Sequence, residues 1–211
     1  EANQVLVRLV CSTISSGTER ANLIGEKNVS VFTTSEIGFP RCSGYSSAGI
    51  VEKIGSGVTA VAVGDRVSVS WSTHSKYVVV KEHEVHKIEF DDISMSEAAL
   101  VHIATFPMLA IRKCELEFGE AALVMGFGVL GMIGVKLLRA AGAYPIVVAD
   151  LQAEKREEAL KIGADYAFDP TDADFAANVK AVTNGGAKVV IEVTGNDRAL
   201  DSALDCCAKF A

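Results

Sequence analysis

The stretch Leu123-Val-Met-Gly-Phe-Gly-Val-Leu-Gly131 decides the fold predicted for this chain of 211 residues. Its apolar start predicts a buried strand, the glycines at 126, 128 and 131 predict a turn into a helix, and Asp150 ends the next apolar run. A strand, a Gly-x-Gly-x-x-Gly turn, a helix and a second strand ending in a carboxylate are typical of a dinucleotide-binding βαβ unit. In such a unit Gly126 makes the tight turn, Gly128 lets the backbone approach a pyrophosphate, and Gly131 lets the helix pack closely on the strand.

The start of the helix supplies the groups that bind phosphate. The free backbone N–H groups of Val129, Leu130 and Gly131 offer donors and the positive end of the helix dipole. The carboxylate of Asp150 comes 19 residues after the last glycine, at the end of the second strand. The sequence therefore predicts a dinucleotide site, and the plainer alternative is an ordinary glycine-rich turn.

Asp150 also indicates which dinucleotide binds. A carboxylate at this place accepts hydrogen bonds from both ribose hydroxyls of adenosine and repels a 2′-phosphate. No arginine stands directly beside the acid, and Lys155 and Arg156 are assigned to the solvated face of the next helix. We therefore expect NAD(H) as cofactor, with NADP(H) less favoured.

Composition excludes several other classes of protein. The chain is 49% apolar and 22% charged, which is ordinary for a soluble α/β protein. A net charge of −7 gives no basic surface for nucleic acid, and no apolar run is long enough for a membrane span. The five cysteines are scattered without a Cys-x-x-Cys spacing, so we expect reduced thiols in a cytoplasmic protein.

Residues 1 to about 92 have the pattern of a β-rich domain. Short apolar or alternating runs are separated by glycine turns such as Gly55-Ser56-Gly57 and Gly64-Asp65. The predicted strands are Gln4–Val10, Ala48–Ile54, Arg66–Ser70 and Lys76–Val80. Closely spaced short strands of this kind predict a small barrel or sandwich.

Residues 93–211 change to a helical and then an alternating pattern. Ser94 and Glu97 have the spacing of a capping box that opens a helix over Met95–Ala104, which Pro107 interrupts. The elements predicted after it are strand Leu123–Gly126, helix Val129–Ala141, strand Pro145–Ala149, helix Glu154–Ile162, strand Tyr166–Phe168, a helix near Ala173–Thr183, strand Lys188–Val193 and helix Arg198–Lys209. This alternation predicts an α/β fold with a parallel, doubly wound sheet.

The last predicted strand bears on the extent of the sheet. If the sheet ended there, Val189–Val193 would be an exposed and strongly apolar edge. We therefore expect further strands to follow, so that the C-terminal part of the sheet is missing from this chain.

Several motifs together resemble the medium-chain dehydrogenase/reductase superfamily, which includes alcohol-dehydrogenase-like and quinone-reductase-like enzymes. They are Val5-Leu6-Val7-Arg8, the segment from Gly49 to Val58, Gly64-Asp65-Arg66-Val67, Tyr77-Val78-Val79-Val80 and the 119–165 segment ending in Ile162-Gly163-Ala164-Asp165. The resemblance implies a GroES-like catalytic domain over 1–92 and an incomplete Rossmann NAD(P)-binding domain over 93–211. It also implies a homodimer or tetramer formed through the sheet edge beyond residue 211.

The chain departs from the zinc-dependent branch of this family. The resemblance places the first zinc ligand at Ser15, the second in the triplet Gly44-Tyr45-Ser46 and the third near Val101 and His102. Catalytic zinc takes about three protein ligands from Cys, His, Asp or Glu. Because serine and tyrosine are poor zinc ligands, we expect no bound zinc.

A zinc-free site needs hydrogen-bond donors or a proton-transfer group beside the substrate oxygen. Tyr45 is the first catalytic candidate, followed by Ser46, Ser15 and His102; the plain alternatives are packed, turn and core residues. Glu19 and Arg20 lie in the segment that resembles the first active-site loop, where a mutual ion pair is the alternative.

Two threonines complete the candidate cofactor site. The resemblance places Thr194 and Gly195 near the nicotinamide ribose and directs Thr105 toward the nicotinamide, although either threonine could simply satisfy local backbone groups.

The leading functional hypothesis is a zinc-independent oxidoreductase that transfers hydride between NAD(H) and a carbonyl or alcohol substrate, which is a small molecule. A zinc-dependent alcohol or polyol dehydrogenase and a quinone or enone reductase remain alternatives within the enzyme class. The remaining alternative is a nucleotide-binding sensor that has lost catalysis along with the metal ligands.

Overall fold

The chain divides into two compact units, Glu1–Ile103 and Ala104–Ala211. The structure is a computed structural model that describes residues 1–26, 39–40 and 42–209. The division comes after Ile103, whereas the sequence pattern placed the domain boundary after residue 92.

The first unit contains an antiparallel sheet of five strands. They are β1 Gln4–Ser12, β2 Ser46–Ile54, β3 Arg66–Ser70, β4 Tyr77–Lys81 and β5 Val85–Lys87, in the order β4-β1-β2-β3-β5. Alternating valines such as Val5, Val7, Val67 and Val69 are completely buried and form its core. Sequence analysis predicted the first four strands and missed β5, whose three residues are too short for a periodic signal.

Helix α1, Ser16–Ile24, was missed in the sequence, where this segment was treated as a loop. It begins after Ser15 and ends at Gly25, which adopts a left-handed backbone with φ +70°. None of its residues is buried, so the segment carries no apolar stripe from which a helix could be predicted.

The predicted helix Met95–Ala104 is wrong as a single element. Helix α2 covers only Met95–Ala98, opened by the expected capping box of Ser94 and Glu97, and helix α3 then runs over Val101–Lys113. The break falls at Leu100, whose N–H closes a tight turn on the carbonyl of Glu97. Pro107 lies inside α3 and does not interrupt it, contrary to the prediction. The proline removes one backbone hydrogen bond of the helix, and the helix continues past it to Lys113.

The second unit confirms the predicted parallel sheet. Its strands are β6 Ala122–Met125, β7 Ile146–Ala149, β8 Tyr166–Phe168 and β9 Val189–Glu192, in the order β8-β7-β6-β9. The helices between and after them are α4 Val129–Ala140, α5 Ala153–Ile162, α6 Phe175–Val182 and α7 Asp197–Asp205. The last helix is therefore shorter than the predicted Arg198–Lys209.

Both faces of this parallel sheet are covered by helices. Val124 faces the same core cluster as Val135 and Leu138 of α4, and all three are fully buried. Its neighbour Met125 faces the opposite cluster, with Val179 of α6 and Ala203 of α7. Alternate residues of one strand thus pack against different helix layers, as in a doubly wound fold.

Within the described part of the chain, no helix has the length and apolar character needed to cross a membrane.

Candidate functional site

The first glycine of the motif makes the expected tight turn. Gly126 has φ +94°, and its N–H donates to the carbonyl of Ala149 at 2.7 Å. A Cβ atom at this position would lie 2.7 Å from Cγ2 of Thr194. Both the backbone conformation and the contact with the loop after β9 therefore require glycine.

The other two glycines differ in what surrounds them. A Cβ atom on Gly131 would lie only 2.0 Å from the carbonyl oxygen of Gly126, so α4 can pack this closely only with glycine there. A Cβ atom on Gly128 would meet nothing within 4 Å, and its φ of −84° suits any residue. Gly128 is the N-cap of α4, so this open space lies at the start of the helix. The N–H groups of the first helical turn have no partner within the helix and can donate to a ligand there.

Asp150 is fixed against the glycine turn by two backbone donors. Its Oδ2 accepts from the N–H of Phe127 at 2.8 Å, and its Oδ1 accepts from the N–H of Gln152 at 2.9 Å. The side chain is only 10% exposed, and Nζ of Lys155 lies 4.0 Å from Oδ2. The assignment of Lys155 to a purely solvated helix face is therefore wrong, because the first turn of α5 directs it toward the acid.

One cavity of about 600 Å³ joins the glycine turn to Asp150, a volume typical of small-molecule sites. Four predicted cofactor residues line it: Gly126, Gly128, Asp150 and Thr194. Five others are not among its lining residues, namely Val129, Leu130, Gly131, Thr105 and Gly195. Sequence analysis missed Leu151 and Gln152, which also line it and could have been found as the residues directly after the acid.

The loop after β9 is held by a carboxylate of its own. Glu192 accepts through Oε1 from the N–H of Thr194 at 2.6 Å and through Oε2 from the N–H of Gly195 at 3.3 Å. The hydroxyl of Thr194 also donates to Glu192. This loop thus has its donors engaged within the chain while Thr194 still lines the cavity.

A second candidate site lies in the first unit, where three aromatic rings meet. The ring centroids of Tyr45 and His102 are 5.6 Å apart and those of Trp71 and His102 are 5.0 Å apart, both in edge-to-face geometry. The backbone N–H of Trp71 donates to the carbonyl of Tyr45 at 2.8 Å. Two predicted catalytic candidates are therefore in contact, together with a tryptophan that sequence analysis did not single out.

The two serine candidates are engaged within the protein. Ser46 is buried, and its hydroxyl donates to the carbonyl of Ala99 at 2.6 Å. Ser15 is the N-cap of α1, and its hydroxyl donates to Thr18 Oγ1 at 3.2 Å. Each hydroxyl proton is already used in a local contact, which makes both serines weaker catalytic candidates.

The alternative of a mutual ion pair between Glu19 and Arg20 is not what the structure contains. Arg20 lies 3.5 Å from Glu26, whereas Oε1 of Glu19 lies 3.2 Å from Nε2 of His74 and accepts from the N–H of Gly44 at 3.1 Å. Adjacent residues of a helix point in different directions, so an ion pair between them is disfavoured. His74 thus connects α1 to the loop before β4.

The described residues do not fit a three-ligand zinc site. No group of three or more His, Cys, Asp or Glu side chains with metal-binding geometry occurs among them. At the positions where the family resemblance implies ligands, the hydroxyl of Ser15 donates to Thr18 and the ring of Tyr45 packs against His102. The side chains therefore lack the donor set that zinc prefers.

The charge state of His102 gives a testable consequence for stability. Burial, and secondarily the nearby imidazole of His86, lowers the pKa of His102 below its usual value of 6.5. The imidazole of His102 therefore binds a proton more tightly in the unfolded chain than in the folded one. As a result, the free energy of unfolding has its full value above pH 6.5 and decreases as the pH falls below it. We expect His102→Phe to flatten the fall in unfolding free energy between pH 7 and pH 5, measured by urea denaturation.

His83→Gln is the control for that experiment, because His83 is exposed on the 3₁₀ turn Glu82–Glu84. It should leave the pH dependence as in the wild type. A full wild-type slope in His102→Phe would show that the ring titrates alike in the folded and unfolded states.

Comparison with known proteins bears on both sites. Residues 1–90 match the model of the alcohol dehydrogenase GroES-like domain, and residues 129–211 match the model of the zinc-binding dehydrogenase domain. The two matches together cover most of the chain and agree with its two units. The chain belongs to the medium-chain dehydrogenase/reductase superfamily.

Individual members of this superfamily are similar over most of the chain. (R,R)-butanediol dehydrogenase of Bacillus subtilis (strain 168) is 30% identical over 191 residues, covering 78% of this chain and 55% of that protein. The solved 2R,3R-butanediol dehydrogenase of Bacillus subtilis has a TM-score of 0.79 at 25% identity, covering 99% of this chain and 68% of that one. Escherichia coli quinone oxidoreductase, solved with NADPH, has a TM-score of 0.80 at 26% identity, covering 99% of this chain and 63% of that one.

Superfamily membership confirms the predicted fold class, with a GroES-like unit followed by a Rossmann-type parallel sheet. The chain spans about half the length of the curated relatives it matches, 55% of the first and 56% of the second.

Proposed function

We propose that the chain carries the catalytic and cofactor domains of an NAD(H)-dependent oxidoreductase acting on a carbonyl or alcohol substrate. One observation supports this most: a cavity of about 600 Å³ has the open N-terminus of α4 at one wall and the fixed carboxylate of Asp150 at another. These are the two groups that a dinucleotide needs, a donor set for its pyrophosphate and an acceptor for its adenosine ribose. The curated relatives are named as dehydrogenases, which agrees with this proposal.

The residues of the second unit fit the cofactor. A ligand atom can approach the backbone of Gly128 because no side chain occupies the space where its Cβ would lie. When bound, the nicotinamide ring would accept or donate a hydride at C4. The tasks of the chain are to bind the phosphates on α4 and to hold the ribose at Asp150.

The preference for NAD(H) over NADP(H) rests on the charge of Asp150. The acid is nearly buried, and two backbone N–H groups hold its charge in place, so a 2′-phosphate would meet a fixed negative group. Lys155 is the opposing influence, since it also lines the cavity.

For the chemical step we propose a proton-transfer role for Tyr45: its hydroxyl would donate a proton to the oxygen of a carbonyl substrate and would take the proton back when an alcohol is oxidised, while the bound cofactor would supply or accept the hydride. The contact of Tyr45 with His102, which burial keeps neutral near pH 7, places an uncharged ring rather than a cation beside the phenol. This arrangement supplies a hydrogen-bond donor at the place where the family's zinc-dependent branch has a metal.

The zinc-dependent alternative is favoured by the comparisons. The family model that matches residues 129–211 is described as a zinc-binding dehydrogenase, and the curated relatives include butanediol and sorbitol dehydrogenases. The side chains of the described residues favour the zinc-free hypothesis, since they present no three-ligand group. A quinone or enone reductase is favoured by the quinone oxidoreductase likeness, but that protein was solved with NADPH, which Asp150 disfavours.

Two measurements on the purified protein test the proposal. We expect less than about 0.1 zinc per chain after purification without chelators, because the residues that the structure describes present no three-ligand group. We also expect NADH to bind and to be oxidised in the presence of at least one aldehyde or ketone.

The outcomes separate the alternatives. About one tightly held zinc per chain would establish the zinc-dependent alternative. NADH binding without turnover across alcohols, aldehydes, quinones and enones would establish the non-catalytic sensor. Absence of NADH binding would overturn the whole proposal.

A further inference from the structure

Three side chains of the first unit form a hydrogen-bonded chain that the proposed function does not use. Oγ of Ser12, the last residue of β1, lies 2.8 Å from Nδ1 of His74, in the loop between β3 and β4. The other ring nitrogen, Nε2, lies 3.2 Å from Oε1 of Glu19 in α1. A hydroxyl, an imidazole and a carboxylate joined in this order have the chemistry of a nucleophile, a general base and the acid that orients the base.

The carboxylate of Glu19 selects the tautomer of His74 that a base requires. An ionised carboxylate only accepts hydrogen bonds, so Nε2 of a neutral imidazole donates its hydrogen to Glu19. Nδ1 then carries a lone pair and accepts from the hydroxyl of Ser12. The two ring nitrogens are exchanged relative to a common serine triad, but each performs the same task.

The imidazole is also held by the backbone next to it. Gly44 has φ +95°, and a Cβ atom there would lie 3.1 Å from both Cδ2 and Cε1 of the His74 ring. The backbone N–H of His74 donates to the carbonyl of Ser43 at 2.9 Å, and the N–H of Gly44 donates to Oε1 of Glu19 at 3.1 Å. One short segment therefore fixes both the base and its carboxylate, which is the preorganisation that catalysis needs.

Ser12 is accessible to a small substrate. Ser12 and His74 line an open cavity of about 350 Å³, together with Lys76, and this volume is enough for a short acyl group. The ammonium of Lys76 contributes a positive charge to the cavity, where it can stabilise an oxyanion. The side chains of His74 and Glu19 are only 27% and 19% exposed, so the base and its carboxylate are partly shielded from water.

We propose that Ser12, His74 and Glu19 form an esterase site for small carboxylic esters, an activity separate from hydride transfer. Oγ of Ser12 forms a bond to the acyl carbon while its proton moves to Nδ1 of His74; the bond to the alcohol oxygen then breaks as that oxygen takes the proton. Water next attacks the acyl carbon and gives a proton to Nδ1, which returns it to Oγ as the carboxylic acid leaves. Ser12 and His74 are the catalytic residues, and Glu19 is a positioning residue.

Hydrolysis of 4-nitrophenyl acetate, followed by the release of nitrophenolate, tests this activity. We expect turnover by the wild type without any nucleotide. Ser12→Ala and His74→Gln should each lower kcat about 100-fold, because they remove the nucleophile and the base. Glu19→Gln keeps an acceptor for the N–H of Gly44 but removes the charge, so it should lower kcat about tenfold and leave KM unchanged.

Two variants are controls for this assay and should keep the wild-type rate. Ser75→Ala removes a second serine from the same cavity, one whose hydroxyl donates to the carbonyl of Tyr77 at 2.8 Å. His83→Gln removes an exposed imidazole that lies outside the cavity.

Covalent labelling identifies the nucleophile independently of turnover. Diisopropyl fluorophosphate reacts with activated serine hydroxyls, so mass spectrometry should find one label per chain, at Ser12. At the same exposure time His74→Gln should carry less than about a tenth of that label, and urea denaturation should find it folded. The wild type decides the outcome even if a variant fails to fold: an unlabelled Ser12, or no ester turnover, would overturn the inference. Turnover by Ser12→Ala at the wild-type rate would also overturn it, whereas failure of NADH oxidation would contradict only the proposed dehydrogenase.

Discussion

Gly131→Ala is expected to weaken dinucleotide binding strongly and to destabilise the fold at the same time. The added methyl group would lie 2.0 Å from the carbonyl oxygen of Gly126 and 3.4 Å from Cγ1 of Val124, so α4 must move away from β6 or the turn must open. Overpacking of this kind costs about 1–3 kcal/mol of unfolding free energy. Either movement also displaces the N–H groups at the start of α4, so we expect NADH to bind about 100-fold more weakly, or roughly 2.8 kcal/mol.

Two other glycines in the same region provide controls for this experiment. Gly134 lies in α4 as well, but its added Cβ would be 3.8 Å from Cβ of Pro107, an ordinary contact. Gly134→Ala should therefore leave NADH affinity unchanged and raise stability by up to about 1 kcal/mol through helix propensity. Affinity is measured by fluorescence titration and stability by urea denaturation.

Gly128→Ala should show the opposite combination, with unchanged unfolding and weaker NADH binding. Its added methyl group meets no protein atom within 4 Å but occupies space at the N-terminus of α4. If Gly131→Ala bound NADH as tightly as the wild type, the close packing of α4 on the turn would have no part in cofactor binding.

Local spacing made the geometry of the candidate cofactor site predictable. The turn, the helix and Asp150 lie within one βαβ unit, where a strand, three glycines and an acid have a defined geometric relation. The structure accordingly places Gly126, Gly128 and Asp150 around one cavity. Lys155 was misjudged because the direction of a side chain in the first turn of a helix depends on where that helix begins, and helix boundaries are poorly determined by sequence.

The first unit was less predictable because its contacts join distant residues. Glu19 meets His74 across 55 positions, and Trp71 and His102 (102 − 71) are 31 positions apart, so no spacing rule relates either pair. Helix α1 escaped prediction for a different reason: it buries none of its residues, so hydrophobic periodicity is absent. The antiparallel strands themselves were predicted, since alternation is a local property of each strand.

Asp150→Ser should shift cofactor selection toward NADPH. In the wild type the carboxylate is fixed by the N–H groups of Phe127 and Gln152 and is 10% exposed, so its charge is only partly screened. Two like charges about 4 Å apart repel by several kcal/mol in a partly buried site, which is enough to exclude a 2′-phosphate. We expect the NADPH-to-NADH affinity ratio to rise about 10- to 100-fold, because NADH loses its ribose acceptor and NADPH loses the repulsion.

Two further variants separate charge from hydrogen bonding in this shift. Asp150→Asn keeps the size of the side chain and removes its charge, so it should relieve the repulsion while retaining an acceptor for Phe127. Lys155, whose Nζ lies 4.0 Å from Asp150, becomes available to a 2′-phosphate once the acid is gone. Adding Lys155→Ala to Asp150→Ser should therefore reverse part of the gain in NADPH affinity, measured by titration with both dinucleotides. An unchanged affinity ratio in both Asp150 variants would mean that the carboxylate has no part in choosing the cofactor, and that the selectivity comes from elsewhere in the cavity wall.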